Sequence, residues 1–207
     1  MKFNKFYKED IKLISKISAY IALDKLKNTK NSIIEYKSSE FSQLKLYEAI
    51  LQTYLFCGFP AAIESLRIFN RVFDNFKFPE HSQKYDFNYL MSEGEINCNL
   101  IYKNNYKKLI ENMNNFSPDL KEWMILEGYG KVMGRKGLNL PEREIINVTI
   151  LTARYYKHQL HSHLRGCLNV GISSDEVIEI IGSFNGFISK TNVNKCKKLF
   201  ESIIRSP

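Results

Sequence analysis

Apolar residues recur at spacings of three and four along most of the chain, which is the period of a helix with one buried face. Ile11, Ile14, Ile17 and Ile21 form such a stripe in the first predicted helix, which covers about 10–27. With 5 prolines and 10 glycines in 207 residues, few positions interrupt this pattern. The sequence therefore predicts an all-α fold, with further helices at about 42–56, 60–76, 95–114, 117–134, 141–156, 158–169 and 173–188 and a last helix that ends near 204.

Capping residues mark several predicted helix ends. Ser117 followed by Pro118 has an N-cap side chain and a first-turn proline, and Pro60 suits the first turn of its own helix. Segment 173–176 (SSDE) has the form of a capping box. The stretch 76–93 has no helical period, so we expect it to connect two halves of the chain.

The chain also predicts a degenerate internal repeat. Segment 46–69 aligns with segment 177–200 without a gap, and their apolar positions largely coincide. The two segments share a glutamate, Glu48 with Glu179, and a phenylalanine, Phe69 with Phe200. We therefore expect a single domain over 1–207, made of an N-terminal degenerate repeat (1–78), a connection and helix (79–116) and a C-terminal repeat (117–207).

Composition is that of an ordinary soluble globular protein, with 44% hydrophobic and 25% charged residues. No apolar run approaches the length of about 18 residues that a membrane span needs, and no apolar segment follows the basic residues of 1–5. We therefore expect a cytoplasmic protein with no membrane partner. The net charge of +8 comes from dispersed lysines rather than a basic stripe, so no nucleic-acid partner is expected either.

Two ionisable residues occupy apolar helix faces on consecutive predicted helices. At 100° per residue, Glu144 falls within about 40° of Val148 and Leu151, and His163 shares a face with Leu160 and Cys167. Each residue has a simple structural explanation: Glu144 lies in a first helical turn, and lone histidines on apolar faces are usually core residues. Together, an inward glutamate and an inward histidine indicate a proton-transfer pair in an apolar pocket.

The other histidines and the cysteines do not indicate a metal or redox site. His158 lies about 140° from His163 on the helical wheel, so it faces solvent or reaches the site from the helix start. His158, His161 and His163 do not converge on one face, so no metal site and no cofactor are expected. The 4 cysteines lack the C-x-x-C spacing and are expected to be free thiols.

These residues belong to a set of motifs that resembles the carboxymuconolactone decarboxylase family. Arg143-Glu144 is followed by HSHLRGCLNVGIS at 161–173 and then by EVIE at 176–179. Segment 129–138 (YGKVMGRKGL) also fits the family, and segment 54–62 (YLFCGFPAA) is similar to a turn that usually closes the same unit. The resemblance is strongest over about 125–190 and weaker over 10–75.

The resemblance implies an AhpD-like helical fold that assembles as a homotrimer or homohexamer. The family includes lactone decarboxylases and AhpD-type alkyl hydroperoxidases, and its functional residues correspond here to Glu144, His158 and His163. In the hydroperoxidases a C-x-x-C dithiol precedes the main histidine. Tyr156 and Gln159 occupy those two positions, so both sulfurs are missing and dithiol peroxidase activity is excluded.

Three functions remain open from the sequence. The first is a decarboxylase-like lyase acting on a small anionic lactone or carboxylate, with Glu144, His158 and His163 as catalytic residues. The second is a peroxiredoxin-like antioxidant that uses the single thiol Cys167, which lies one helical turn after His163. The third is a non-catalytic helical oligomer that binds a ligand or partner.

Overall fold

The computed structural model describes residues 7–79 and 86–205, and every regular element within these ranges is a helix. The predicted all-α fold is confirmed. The N-terminal segment considered above and residues 80–85 of the predicted connection lie outside the described residues. The α-helices are α1 (Glu9–Ala22), α2 (Leu26–Ser38), α3 (Gln43–Gln52), α4 (Tyr54–Val72), α5 (Phe87–Tyr102), α6 (Tyr106–Phe116), α7 (Pro118–Trp123), α8 (Leu140–Arg154), α9 (Lys157–Asn169), α10 (Ser174–Ser183) and α11 (Lys190–Arg205).

The predicted capping residues begin their helices as expected. The Ser117 hydroxyl accepts a hydrogen bond from the backbone N–H of Leu120, and Pro118 is in the first turn of α7. Ser173 and Glu176 form a reciprocal capping box at the start of α10. These caps satisfy backbone N–H groups that have no partner within the helix, so they fix where each helix begins.

Several predicted helices are divided in the structure. The one expected at 10–27 ends at Ala22, and α2 starts after a turn in which Asp24 has a φ of 55°. Lys103, with a φ of 45°, likewise separates α5 from α6. Within α4, Gly58 is non-helical with a φ of 78°, so Pro60 follows in the first turn of the long helical part. A single left-handed residue ends a helix without interrupting the apolar period, which is why the pattern missed these breaks.

The helix predicted at 117–134 changes its winding partway. It is α-helical through Trp123 and continues as a π-helical segment from Met124 to Val132. The helix predicted at 173–188 ends at Ser183 and is followed by one 3₁₀ turn, Phe184–Gly186. Such changes of winding alter hydrogen-bond partners more than they alter the apolar period.

The described residues form two compact units, one within Met1–Phe76 and Gly137–Pro207 and the other within Lys77–Lys136. Residues 117–136, which the sequence placed with the C-terminal repeat, lie in the same compact unit as 86–116. In this second unit the backbones of α5 and the π-helical segment approach each other closely at two glycines. A Cβ atom at Gly94 would lie 2.2 Å from the Ile125 carbonyl oxygen, and one at Gly130 would lie 2.1 Å from that of Leu90.

The core of the first unit is built around α8. This helix buries twelve of its fifteen residues, and it packs against α1 and α9. Helix α1 buries the four isoleucines of the predicted stripe and packs against α2 and α4. Because α8 is surrounded on so many sides, its polar side chains are buried as well and need partners inside the protein.

Residues 7–79 and 86–205 contain no single helix that is both long enough and apolar enough to cross a membrane. The pair formed by α3 and α4 passes the same test of length and composition together, but the two helices meet at a bend of 118°.

Candidate functional site

Glu144 of α8 and His163 of α9 are in direct contact inside the first unit. The Nδ1 atom of His163 lies 2.9 Å from Oε2 and 3.1 Å from Oε1 of the glutamate. Glu144 is fully buried and the imidazole side chain is 8% exposed. The packing of α8 against α9 thus brings together the two residues that the helical wheels turned inward.

This contact determines which imidazole nitrogen is available for chemistry. A carboxylate accepts hydrogen bonds, so we assign a proton to Nδ1 that is donated to Glu144. Nε2 is then the atom that can gain and lose a proton toward a ligand. A carboxylate in this position also stabilises the imidazolium that forms when Nε2 takes up a proton.

A second polar residue of α8 also contacts Glu144. The side-chain amide nitrogen of Asn147 donates to Oε1 of Glu144 over 2.9 Å and lies 3.5 Å from Nδ1 of His163. Its side-chain oxygen accepts a hydrogen bond from Nε2 of Gln52 over 2.6 Å. Asn147 therefore connects the Glu144–His163 pair to helix α3.

Gln52 is in turn connected to a buried ion pair. Its Oε1 accepts from Nη1 of Arg143 over 2.9 Å, and its Nε2 also donates to the Arg143 carbonyl oxygen over 2.9 Å. Nη2 of Arg143 lies 3.2 Å from Oε2 of Glu48. The guanidinium of Arg143 is thus held by two side chains of α3, Glu48 and Gln52.

The result is a continuous polar network across the core of the first unit. It runs from Glu48 through Arg143, Gln52 and Asn147 to Glu144 and His163, and all of these residues are buried. Buried polar groups are costly unless they are hydrogen-bonded. Such a network holds its members rigidly, which is the condition for a catalytic group to keep a fixed position.

Segment 54–62 contributes an aromatic contact to the site. The ring of Phe56 lies edge-on to the His163 imidazole, with centroids 5.9 Å apart and an angle of 81° between the rings. Its neighbour Cys57 is half-buried and forms a hydrogen bond with Arg154. Burial raises the pKa of the Cys57 thiol, and Arg154 only partly opposes this effect.

The other histidines of α9 are less buried than His163. His158 is in the first turn of the helix with an exposed side chain. Burial, together with the charge of Arg165 and the neighbouring His158, lowers the pKa of His161. Among the residues that the structure describes, no group of three or more His, Cys, Asp or Glu side chains could hold a metal ion.

Cys167 is buried one helical turn after His163, on the predicted face. Burial raises the pKa of its thiol well above the ordinary value, and the negative charge of Glu144 raises it further. A thiolate is the reactive form of cysteine. This position therefore keeps the sulfur protonated and unreactive.

The sequence reasoning missed the part of the network that lies beyond Glu144 and His163. A signal for it was present: Glu48 and Gln52 are four residues apart on α3, and so are Arg143 and Asn147 on α8. Polar residues with this spacing lie on the same side of a helix. Two such pairs on apolar helices indicate that polar groups are buried in the core, but not which of these groups meet.

A cleft of about 360 Å³ lies elsewhere in the first unit. Its walls come from the end of α1, the start of α2, the 3₁₀ turn and the start of α11, and the residues that line it include Tyr20, Lys25, Phe187 and Asn192. Glu144 and His163 do not line it.

The fold and the site define the class of this protein: it is all-helical and has a buried glutamate–histidine pair. Comparison with known proteins agrees with the resemblance found in the sequence, because residues 118–183 match the model of the carboxymuconolactone decarboxylase family. A "4-carboxymuconolactone decarboxylase" from Acinetobacter baylyi (strain ATCC 33305 / BD413 / ADP1) is 29% identical over 87 residues. That match covers 42% of this chain and 65% of the relative. Both findings confirm the resemblance.

Proposed function

We propose that this chain is a decarboxylase-like lyase acting on a small anionic lactone or carboxylate, with His163 as the proton-transfer residue. The family match and the decarboxylase relative support this at the level of the family. The observation that carries the proposal is the contact of both Glu144 oxygens with Nδ1 of His163. It leaves Nε2 for the substrate and provides a fixed negative charge behind the ring.

In the proposed reaction, the bond between the substrate carbon and its carboxylate breaks, and carbon dioxide leaves. The electron pair stays on the carbon and is delocalised into the conjugated carbonyl group of the lactone as an enolate. The imidazolium of His163 then gives its Nε2 proton to that carbon, which forms the new C–H bond. Uptake of a proton from water restores the imidazolium, so the overall reaction consumes one proton and releases one carbon dioxide.

Glu144 orients the imidazole in this mechanism and balances the positive charge that the ring carries before proton transfer. His158, which is exposed at the start of α9, is proposed as an auxiliary carrier that passes protons between solvent and the site. The net charge of +8 would favour the approach of an anionic substrate. The thiol alternative has no comparable support, because Cys167 is buried beside a negative charge.

We also propose that the first unit contains two copies of a helical repeat. Helices α9 and α10 begin and end 131 positions after α2 and α3, and α8 begins 131 positions after α1. Leu13 and Ser32 stand at the positions in the first copy that correspond to Glu144 and His163. Each chain would therefore have one site.

Assembly into a homotrimer or homohexamer is part of the same proposal. Large apolar side chains on α4 are exposed, with Phe59 at 67% and Ile63 at 47%, and contact with another copy would bury such groups. Light scattering on the purified 207-residue chain would give the mass directly, and a monomer would contradict this proposal.

The proposed activity is tested with 4-carboxymuconolactone and a panel of related carboxylated lactones, with release of carbon dioxide as the measured signal. We expect turnover by the native chain, loss of turnover in His163→Gln and unchanged turnover in Cys167→Ser. Full activity of His163→Gln would refute the assigned role. Failure to release carbon dioxide from every lactone in the panel would refute the function.

A further inference from the structure

We propose that Gln52, on α3, is a positioning residue for the Glu144–His163 pair, because it fixes which end of the Asn147 amide faces the glutamate. Asn147 and Gln52 form a bridge of two amides between the Arg143–Glu48 ion pair and the site. The assignment to catalysis rests on the proposed function, whereas the orientation of the amides stands on the hydrogen bonds alone.

The orientation of the two amides follows from the hydrogen-bonding groups at the two ends of the bridge. A guanidinium can only donate hydrogen bonds, so Nη1 of Arg143 requires the oxygen of the Gln52 amide. The NH₂ group of Gln52 must then face the other way, where it meets the side-chain oxygen of Asn147 at 2.6 Å. With its oxygen occupied in this way, Asn147 has its NH₂ group directed at Glu144.

The orientation of the two amides affects His163 through Glu144. Glu144 accepts a hydrogen bond from Asn147 at one oxygen and faces Nδ1 of His163 with both, so two donors on different helices hold the carboxylate. If the Asn147 amide were turned over, its oxygen would face the carboxylate and repel it. Because Gln52 and Asn147 are at most 2% exposed, water cannot easily replace a missing donor.

Gln52 contacts neither His163 nor Glu144 through any of these hydrogen bonds, so its effect would pass through Asn147. A misplacement of about 1 Å far from the reacting atoms can lower a rate by about 100-fold. We therefore expect substitution at Gln52 to lower kcat by roughly 10- to 100-fold and to change KM little.

The decisive variant is Gln52→Glu, which keeps the size of the side chain and its acceptor for Arg143 but lacks the NH₂ group. Neutron crystallography of the native chain and the variant locates deuterium on the amides and on His163. In the native chain we expect the ND₂ group of Asn147 at Glu144 and deuterium on Nδ1 of His163. In the variant we expect the Asn147 ND₂ group turned toward residue 52, or a deuteron on the new carboxyl that donates to Asn147.

An ionised carboxylate at position 52 beside an unturned Asn147 would overturn the proposal. The matched control is Thr149→Val, which removes a buried hydroxyl of α8 that bonds only to the Ile145 carbonyl in the contacts described. This control should leave both the Asn147 orientation and kcat unchanged. If Gln52→Glu does not fold, Gln52→Met provides the same comparison of kcat and KM, and an unaltered kcat in that variant would overturn the positioning role.

The two proposals can fail separately. If no lactone is decarboxylated but the deuterium positions are as expected, the amide bridge stands and the proposed function falls. If decarboxylation is found but Gln52→Glu holds an ionised carboxylate beside an unturned Asn147 and keeps the native kcat, the function stands and the positioning role falls.

Discussion

Nη2 of Arg143 lies 3.2 Å from Oε2 of Glu48, and neither side chain is more than 1% exposed. This ion pair joins α8 to α3 across the core. Removing one partner of a buried pair leaves the other charge in a medium of low polarity, at a cost of about 3–5 kcal/mol. We therefore expect Arg143→Met to lower the free energy of unfolding by about this amount, as measured by urea denaturation.

The control for this variant is Lys16→Met, which breaks the surface pair with Glu35 in the same unit. Exposed pairs contribute about 0–1 kcal/mol, so the control should unfold nearly like the native chain. The double variant Glu48→Leu with Arg143→Met should recover part of the lost stability, since both charges are then absent. Equal stability of Arg143→Met and the control would contradict this account.

The variant Glu144→Gln tests the role of the Glu144 carboxylate as the acceptor of the hydrogen bond from Nδ1 of His163. The amide of the new side chain can direct its NH₂ group at Nδ1 of His163, which forces the proton onto Nε2 and reverses the roles of the two nitrogens. In a comparable carboxylate-to-amide change the rate falls by about 10⁴-fold, so we expect a loss of kcat on the order of 10³-fold or more. Steady-state decarboxylation assays measure it, and Asp175→Asn, at an exposed carboxylate, is the control.

The buried thiols predict a loss of stability in alkaline solution. Burial raises the pKa of Cys196 from 9.0 to about 11, and that of Cys167 also lies well above 9.0. Above pH 9 the unfolded chain loses thiol protons that the folded chain retains, so stability is complete below this pH and falls as the pH rises further. Each thiol should cost about 1.4 kcal/mol per pH unit in this range.

Urea denaturation at pH 8 and pH 10 in the presence of a reductant measures this effect. The double variant Cys167→Ala with Cys196→Ala should lose clearly less stability between the two pH values than the native chain. An identical loss in both proteins would show that other groups cause the alkaline sensitivity.

Gly137 is expected to tolerate no side chain. Its φ is +105°, and an added Cβ would lie 2.9 Å from Cγ of Glu48 and 3.1 Å from Cγ of Leu44. Gly171 has a similar φ of +97° with nothing within 4 Å of an added Cβ, so it isolates the backbone cost. We expect Gly171→Ala to cost about 1–2 kcal/mol. Gly137→Ala should cost about 1–3 kcal/mol more, because it also displaces neighbours.

Both alanine variants are compared by urea denaturation. The difference between them gives the cost of the contacts with Glu48 and Leu44. If the two variants lose the same stability, the loop at Gly137 can accept a Cβ atom without a further cost from Glu48 and Leu44 of α3, which would contradict this prediction.

In the second unit, Gly94→Ala is expected to separate α5 from the π-helical segment. An added Cβ would lie 2.2 Å from the Ile125 carbonyl oxygen, whereas one at Gly128 of the same segment would have nothing within 4 Å. Hydrogen exchange of the amides in 87–132 should therefore become faster in Gly94→Ala and stay unchanged in Gly128→Ala. Equal exchange in the two variants would contradict the close packing.

Parts of the site were accessible from the sequence because they depend on local periodicity. The wheel positions of Glu144 and His163 follow from 3.6 residues per turn, and apolar neighbours show which side of each helix is buried. The connection of Gln52 to Asn147 was not accessible, because 95 positions separate these residues. Their contact depends on how α3 packs beside α8, and no local pattern encodes that placement.

The sequence by itself determined that the chain is helical, where its strongest caps lie, and that an acid and an imidazole belong to the inner faces of α8 and α9. Tertiary structure alone decided that the two groups touch through Nδ1, that Arg143 is paired with Glu48, and that two amides join these pairs. It also decided that residues 117–136 lie in one compact unit with 86–116. The physical reason is that periodicity records which side of a helix avoids water, whereas the identity of a buried partner depends on the packing of helices distant in sequence.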